Sequence, residues 1–553
     1  MNQSASVQNK PALFFDESRI NPDLIWVGDP QSIVYDTIEI KEVFLNICQP
    51  IYIVSNQGRI GATNAGRFFP ANTTESSSVT GFTSAPAMPI EHLGDPGFRS
   101  THKTRYAYYV GSMAHGISSV EMIIALGKQG ILGSFGAGGL DPIHIENAIN
   151  RIQAALPNGP YAFNLIYNPF EPSISQKAVE LYIKYGITTI EASAFLDITA
   201  NLVHYRVAGL KQNSKGEIEI RNIVIAKLSR KEVATKFMEP APLDILKQLV
   251  SENRITESQA NMAQNIPVAD DITVEADSGG HTDNRPLVCL VPTIIALRDE
   301  LQDKYGYKQT IRVGAAGGIG TCASALAAFS LGAAYIVTGS INQSCVESGT
   351  SEHTKELLTQ ADMADVIMAP ATDMFEMGVK VQLLKRGTLF PMRAQKLFDL
   401  YKSHDSIEEI PEVERQKLER MFFKRDFETV WEETKEFFYK RDPHPIQRAQ
   451  SDPKYKMALI FRWYLGLSTH WSNSGEKGRE MDYQIWCGPS MGTFNDWTRG
   501  TYLMDYKHRK VVDVALQILT GCAYQYRVFL LQSLGLLISP ELSNYSPERP
   551  LKR

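Results

Sequence analysis

A run of small residues, Val313-Gly314-Ala315-Ala316-Gly317-Gly318-Ile319-Gly320-Thr321-Cys322-Ala323, stands at the end of one strand-like segment and the start of a helical one. Backbone N–H groups with no side chains in front of them, beside a helix N-terminus, make a cradle for a phosphate. Within the run, Gly318-Ile319-Gly320-Thr321-Cys322-Ala323 fits the loose dinucleotide pattern GxGxxA. That reading fails its own requirement, because the next strand-like run ends in Thr338-Gly339-Ser340 and not in the acidic residue that would hold a ribose. A barrel holds a phosphate jointly between the loops after its seventh and eighth strands. Both segments here carry Gly with small polar residues, the alternative being that the glycines only let helix and strand pack closely.

A second constellation is Val274-Glu275-Ala276-Asp277-Ser278-Gly279-Gly280-His281-Thr282. A His delivered by a Gly-Gly turn at the C-terminal end of a barrel strand sits where barrel enzymes place catalytic groups. It could donate a proton or bind an anionic oxygen near neutral pH. A lone His is more often structural; the turn and the neighbouring phosphate loop argue for function. Third, Ser112-Met113-Ala114-His115-Gly116 follows an earlier strand, and Asn164 and Lys227 lie on two others. Main-chain groups of a turn, an amide and an ammonium suit the polar edge of an isoalloxazine ring, although each alone is weak. Gly488-Pro489-Ser490-Met491-Gly492 satisfies the GxSxG expression of a serine hydrolase, but only 61 residues follow Gly492. Those are too few for the later strands that carry the acid and the His. No HExxH, CxxC or EF-hand pattern supports a metal site.

The elements that must position these residues are legible as alternation. Strand-like runs fall at 106–113, 130–138, 161–168, 188–195, 222–229, 271–279, 310–318 and 334–341, with amphipathic helical patterns between them. Eight such repeats over roughly 250 residues are the size of a closed (β/α)8 TIM barrel, whereas open doubly wound sheets stop sooner. The expected organisation is an irregular N-terminal cap and linker over 1–100, the barrel over 101–379, and a mostly helical C-terminal region over 380–553. Residues 239–270 read as helices inserted before strand six and projecting over one barrel mouth. The Ser/Thr/Gly/Pro-rich stretch from Asn72 to Gly97 reads as linker.

Composition excludes some classes. With 43% hydrophobic residues in 553, the chain can bury a full-sized core. A formal charge of −5 offers no basic excess for nucleic acid. The six cysteines are scattered, as in a reduced, cytoplasmic protein. No signal layout opens the chain, and no stretch approaches the roughly 18 apolar residues a membrane span needs. The apolar run FLLQSLGLLIS near the end reads as a buried helix.

In this order, the SMAHG turn, the Asn164 strand, the EADSGGH loop and the AAGGIGT and VTGS loops resemble FMN-dependent barrel enzymes. These include nitronate monooxygenases (2-nitropropane dioxygenases) and flavin-type bacterial enoyl-acyl-carrier-protein reductases. A closer resemblance covers nearly the whole chain: YYVGSMAHGISSVEMI, FMEPAP, APATDMFEMGVKVQLLKRGTLFPMRA and DPKYKMALIFRWYLGLSTHWSNSGEKGREMDYQIWCGP look like the PfaD-type family. That family supplies stand-alone enoyl reductases to polyunsaturated fatty acid and polyketide synthases. The resemblance implies FMN as cofactor, NADPH as hydride donor and an acyl carrier protein as partner, and leaves the oligomeric state open, a homodimer included. It makes Met113, Ala114, Asn164 and Lys227 contacts to the flavin ring or ribityl chain, puts Gly280 beside the flavin, and gives its phosphate to Gly317, Gly318, Gly339 and Ser340. His281 matches the active-site His. The C-terminal region has no counterpart in the smaller relatives. A carrier protein is acidic, so a basic patch is expected at the mouth, with Lys380, Lys385, Arg386 and Arg393 as contributors. The rival readings are a nitronate monooxygenase and a non-catalytic megasynthase subunit.

Overall fold

The computed structural model describes residues 12–15, 23–72, 77–167, 172–441 and 443–551. Eight short parallel strands close into a barrel. They are β1 Tyr108–Val110, β2 Leu132–Phe135, β3 Ala162–Ile166, β4 Thr189–Ser193, β5 Ile223–Leu228, β6 Asp271–Glu275, β7 Arg312–Ala316 and β8 Ile336–Thr338. Each lies inside one of the eight runs read from the sequence. The pairs Ile336↔Tyr108 and Val337↔Tyr109 join β8 to β1. Helices cover the outside, started by capping side chains: Ser119 accepts from the Met122 N–H, Asp141 from His144, and Thr321 from Ser324.

The interior of the barrel is packed. Thr273 is hydrogen-bonded to the hydroxyls of Tyr109 at 3.1 Å and Tyr335 at 2.9 Å, and Phe98 stacks on Tyr335 with centroids 4.2 Å apart. Phe98 belongs to the helix Pro96–His102, so the end of the expected linker becomes a plug for the N-terminal mouth. That end is also pinned by charge. Arg206 makes a two-pronged pair with Asp270 at 2.6 and 3.0 Å. Asp271 accepts from Arg312 Nε at 2.6 Å and lies 2.9 Å from His102 Nε2. Burial works against the Asp271 carboxylate, but Arg312 and His102 outweigh it and hold its pKa below the usual value.

The remaining regions depart from expectation in three ways. The N-terminal region is not irregular: a five-stranded antiparallel sheet runs in the order Arg59–Thr63, Ile51–Asn56, Thr80–Ala85, Leu24–Val27, Arg67–Pro70. One strand, Thr80–Ala85, comes from the presumed linker, whose alternating burial is that of a half-covered sheet. The helices at 239–270, Leu243–Ser251 and Glu257–Ala263, pack on the outer helix Ala200–Ala208 and contribute nothing to the cavity-bearing mouth. An antiparallel hairpin, Val366–Pro370 with Lys380–Leu384, straddles residue 379, so the helical region begins only with Phe390–Ser403.

The C-terminal helix Val511–Ser533 lies against Cys322–Ser330. Gly521 permits the approach, since a Cβ there would stand 2.6 Å from that of Cys322. The helix is long and apolar enough to cross a bilayer, but 78% of its apolar window is buried in the protein, partly against the N-terminal sheet. FLLQSLGLLIS is not one buried helix: the helix ends at Ser533, Phe529 is exposed, and Leu536–Ile538 is a strand paired with Leu13–Phe15. Gly535, at φ 98°, makes the break.

Candidate active site

A cavity of about 420 Å³ opens at the C-terminal mouth of the barrel. Met113, Ala114, Asn164, Lys227, Gly280, His281, Gly317, Gly339 and Ser340 all line it. Gly318 does not: at φ +71° it faces open space beside the cavity, and a Cβ there would meet nothing within 4 Å. The strand ends β1, β3, β5, β6, β7 and β8 thus converge as the alternation implied.

The floor is polar and only part of it is marked in the sequence. Glu191, at the centre of β4 and fully buried, accepts from the Ser112 N–H at 3.0 Å and the Ser112 hydroxyl at 2.9 Å. It thereby fixes the turn that presents Met113 and Ala114. Asn164 donates its amide to Glu191 O at 3.1 Å and Ser193 Oγ at 3.0 Å. Lys227 Nζ lies 3.1 Å from Glu275 and 3.8 Å from Glu191. Burial opposes its charge, yet the two carboxylates prevail and hold its pKa above the ordinary value. Glu191 stands among Thr, Ser and Ala in TTIEASAF, and no motif marks it.

On the glycine side the backbone leaves room for a phosphate. Gly317, at φ +84°, is the close-approach position, since a Cβ there would come within 2.6 Å of the Ala276 carbonyl carbon. Gly339 meets nothing within 4 Å and lines the cavity. Ser340 Oγ accepts from the Gly488 N–H at 2.9 Å. The GxSxG glycines prove steric: a Cβ on Gly488 would lie 2.6 Å from Gly279 N, and one on Gly492 would collide with the Met363 backbone. Ser490 starts the helix Ser490–Trp497, and no elbow exists.

The C-terminal region therefore completes the site. Gly280 exchanges backbone hydrogen bonds with Gln382 at 3.0 and 2.8 Å, and Leu384 N donates to Ile485 O at 2.8 Å. The strip places Trp486 beside Gly280 and 6.0 Å, centroid to centroid, from His281. His281 Nε2 faces Asp373, 3.2 Å from Oδ2 and 3.3 Å from Oδ1. Burial pulls the His281 pKa down, but Asp373 and then Glu275 more than offset it, so it stands above the usual histidine value. Burial works on Asp373 in the opposite sense, but His281 outweighs it and holds the carboxyl low. Asp373 and Trp486 lie outside the barrel alternation, within the stretches APATDMFEMGVK and DYQIWCGP that resemble the family, and fit no chemical motif. Ile166, Phe195, Leu196, Met374 and Met377 give the cavity an apolar lining.

The expected basic patch is different in composition. Arg393 turns inward to Asp482 and Arg386 is paired with Asp365 at 2.6 Å. Lys380 does line the mouth, and Lys231 and Arg285 stand exposed on the segments beside it.

Residues 99–397 match the family model described as nitronate monooxygenase. Residues 26–87 match that of the N-terminal domain of the fatty acid synthase protein PfaD, and 404–483 that of the inserted helical domain of [acyl-carrier-protein] S-malonyltransferase. The chain is 50% identical over 524 residues to a component of the polyunsaturated fatty acid synthase of Thraustochytrium sp., covering 93% of this chain and 34% of that one. It is 45% identical to polyketide biosynthesis protein PksE of Bacillus subtilis, covering 79% of this chain and 57% of the other. The enoyl reductase domain of MlnA from the macrolactin biosynthesis cluster of Bacillus amyloliquefaciens superposes with TM-score 0.76 at 40% identity, covering 80% of this chain and all (100%) of that one. Two polyunsaturated fatty acid synthase relatives from Thraustochytrium sp. are much longer, and the chain spans 34% and 24% of their lengths.

Proposed function

The chain belongs to the PfaD-type branch of the nitronate monooxygenase family, and from that premise we propose that it is an FMN-dependent enoyl reductase, using NADPH and acting in trans on enoyl thioesters held by an acyl carrier protein. The observation that carries this reading is one cavity with a glycine cradle, a fixed polar floor, a His-bearing wall and an apolar lining. The residues fit a flavin mononucleotide. Gly339 leaves space that a side chain would fill, Gly317 lets the backbone of the loop close up against Ala276, and Ser340 stands beside them for the phosphate. Asn164 Oδ1 and the Lys227 ammonium suit the ring's polar edge. A flavin held there would supply hydride transfer from NADPH to the β-carbon of the enoyl group.

The rest is the work of this chain. Glu191 keeps the Met113–Ala114 turn rigid, so that the ring is positioned by backbone whose own contacts are satisfied. Lys227, charged and half-buried, stabilises negative charge at the ring edge. The wall of Ile166, Phe195, Leu196, Met374 and Met377 excludes water from an acyl chain. His281 stands where the thioester must enter, as the group that handles the α-carbon proton. Lys380, Lys231 and Arg285 offer an acidic carrier a cationic rim despite the chain's net charge of −5.

The deciding measurement is steady-state kinetics with NADPH and matched enoyl chains on carrier protein, on coenzyme A and as a short free thioester, beside a nitronate. Turnover is expected on the thioesters, best on the carrier. Faster turnover of the nitronate than of every thioester would replace this reading with the monooxygenase one. Protein that binds no FMN on reconstitution would replace it with a non-catalytic subunit.

A further inference from the structure

The pairing of His281 with Asp373 crosses from the barrel to a different part of the chain. His281 follows β6, whereas Asp373 sits on the loop 371–379 that joins the two strands of the hairpin Val366–Pro370 and Lys380–Leu384. That tip is anchored on both sides. Phe375 is fully buried with its ring 5.6 Å from Phe398, 5.3 Å from Tyr401 and 6.3 Å from Phe461. Glu376 pairs with Arg462 at 3.3 Å. The neighbours Met374 and Met377 line the cavity. The carboxylate is therefore delivered to the ring by a braced element.

We propose that Asp373 is the positioning residue of the proton transfer: it holds the His281 ring through Nε2 and keeps the imidazole protonated, so that Nδ1 delivers a proton to the α-carbon of the enoyl thioester. The inference rests on the reductase reading. In the step, the β-carbon receives hydride from the reduced flavin, and the π electrons of the double bond move toward the α-carbon and thioester carbonyl. The α-carbon then takes the Nδ1 proton. The flavin is left oxidised, to be reduced again by NADPH; the imidazole is left neutral with Nε2–H still donating to Asp373, and regains its proton from water. An acid placed so fixes tautomer and orientation without itself losing charge.

The charged groups facing His281 are Asp373 from the hairpin tip, Glu275 and Lys227 from β6 and β5, and, through Asp373, Arg462 from the helix Pro453–Ser474. Of these, Asp373 is the one within hydrogen-bond distance of the ring. An acid that must be protonated gives activity that is full below its pKa and falls as pH rises through it. Removing the adjacent negative charge moves that fall to lower pH.

The test uses the FMN-loaded Asp373→Asn and Asp373→Glu proteins, with pH profiles of kcat/KM for the enoyl thioester and single-turnover reduction of the bound flavin by NADPH. Asp373→Asn should move the alkaline limb down by about one pH unit, the low end of the effect of a neighbouring opposite charge, because Asp373 is 40% exposed on its side chain. Near neutral pH it should lose up to about tenfold in kcat/KM, the most that a one-unit shift takes from the protonated fraction. Flavin reduction by NADPH should stay at the wild-type rate, and Asp373→Glu should restore most of the lost activity. An Asp373→Asn profile that overlays wild type overturns the proposal. So does an equal loss in Asp373→Glu, or an equal loss in the NADPH half-reaction. Failure of the reductase reading looks different: wild-type protein itself fails to turn over the thioester.

Discussion

At the scale of single residues, two glycines that line the same cavity have opposite jobs. Gly339, at φ −129° and ψ −83°, has nothing within 4 Å of a Cβ. Gly339→Asp should abolish FMN retention, by bulk and by charge against a phosphate, with a smaller effect on the urea midpoint. Gly317→Ala should do the reverse first. A Cβ at φ +84° and 2.6 Å from Ala276 must push β6 and β7 apart, at a cost of about 1–3 kcal/mol measured by urea unfolding of the apoprotein. FMN bound at wild-type level by Gly339→Asp would show the phosphate to lie elsewhere. His281→Ala should keep its flavin spectrum and lose at least about 10²-fold in enoyl reduction. Wild-type turnover in that variant would make the His a structural residue. The wrong-looking motif is instructive at this scale too: GPSMG fits a nucleophile pattern because two glycines were needed for close contact, at Gly279 and at Met363.

At the scale of elements, the eight barrel strands could be read from the chain because each is a short apolar or β-branched run with a helix pattern after it, and one period serves all of them. The five-stranded sheet could not be read as a whole, because only one of its strands alternates regularly in burial, its turns are of mixed composition and its strands pair out of chain order. The site followed the same division. Met113, Asn164, Lys227, His281 and the glycines stand at strand ends that the alternation locates, whereas Asp373 and Trp486 arrive from outside the repeat, with Asp373 on a hairpin whose second strand lies across the expected boundary at 379. Glu191 escapes sequence reading for another reason: one acid in a strand has no spacing to give it away, and its burial is needed to see its role. The hairpin tip carries its own expectation. Phe375→Ala should cost about 3–5 kcal/mol of stability, the scale for a large aromatic truncated in a well-packed core, read from urea unfolding. It should also depress enoyl turnover more than NADPH oxidation by the flavin, since the tip touches the acyl side. A uniform fall in both half-reactions would mean that the tip only supports the barrel.

At the scale of the whole molecule, the N-terminal sheet, the barrel and the C-terminal helices are held by shared pieces. Arg527, fully buried on the helix Val511–Ser533, donates to the carbonyls of Phe44 at 3.3 Å, Asn46 at 3.0 Å and Gln49 at 2.9 Å. Burial pushes its pKa down to about 10, so the guanidinium is kept for its donors at a cost in desolvation. Arg527→Met should destabilise by about 2–4 kcal/mol, mainly by orphaning buried carbonyls, as seen in urea unfolding. It should leave the FMN spectrum intact, because none of these groups reaches the cavity; loss of the spectrum in folded protein would tie the N-terminal sheet to the site. The antiparallel pairing of Leu13–Phe15 with Leu536–Ile538 has a meaning of another kind. The pairing sets the first described strand one strand spacing from Leu536–Ile538, so the roughly five hundred residues between them begin and end at one place on the molecule. A unit closed in that way takes up little separation along a longer polypeptide, and the curated relatives, of which this chain spans 34% and 24%, are longer polypeptides.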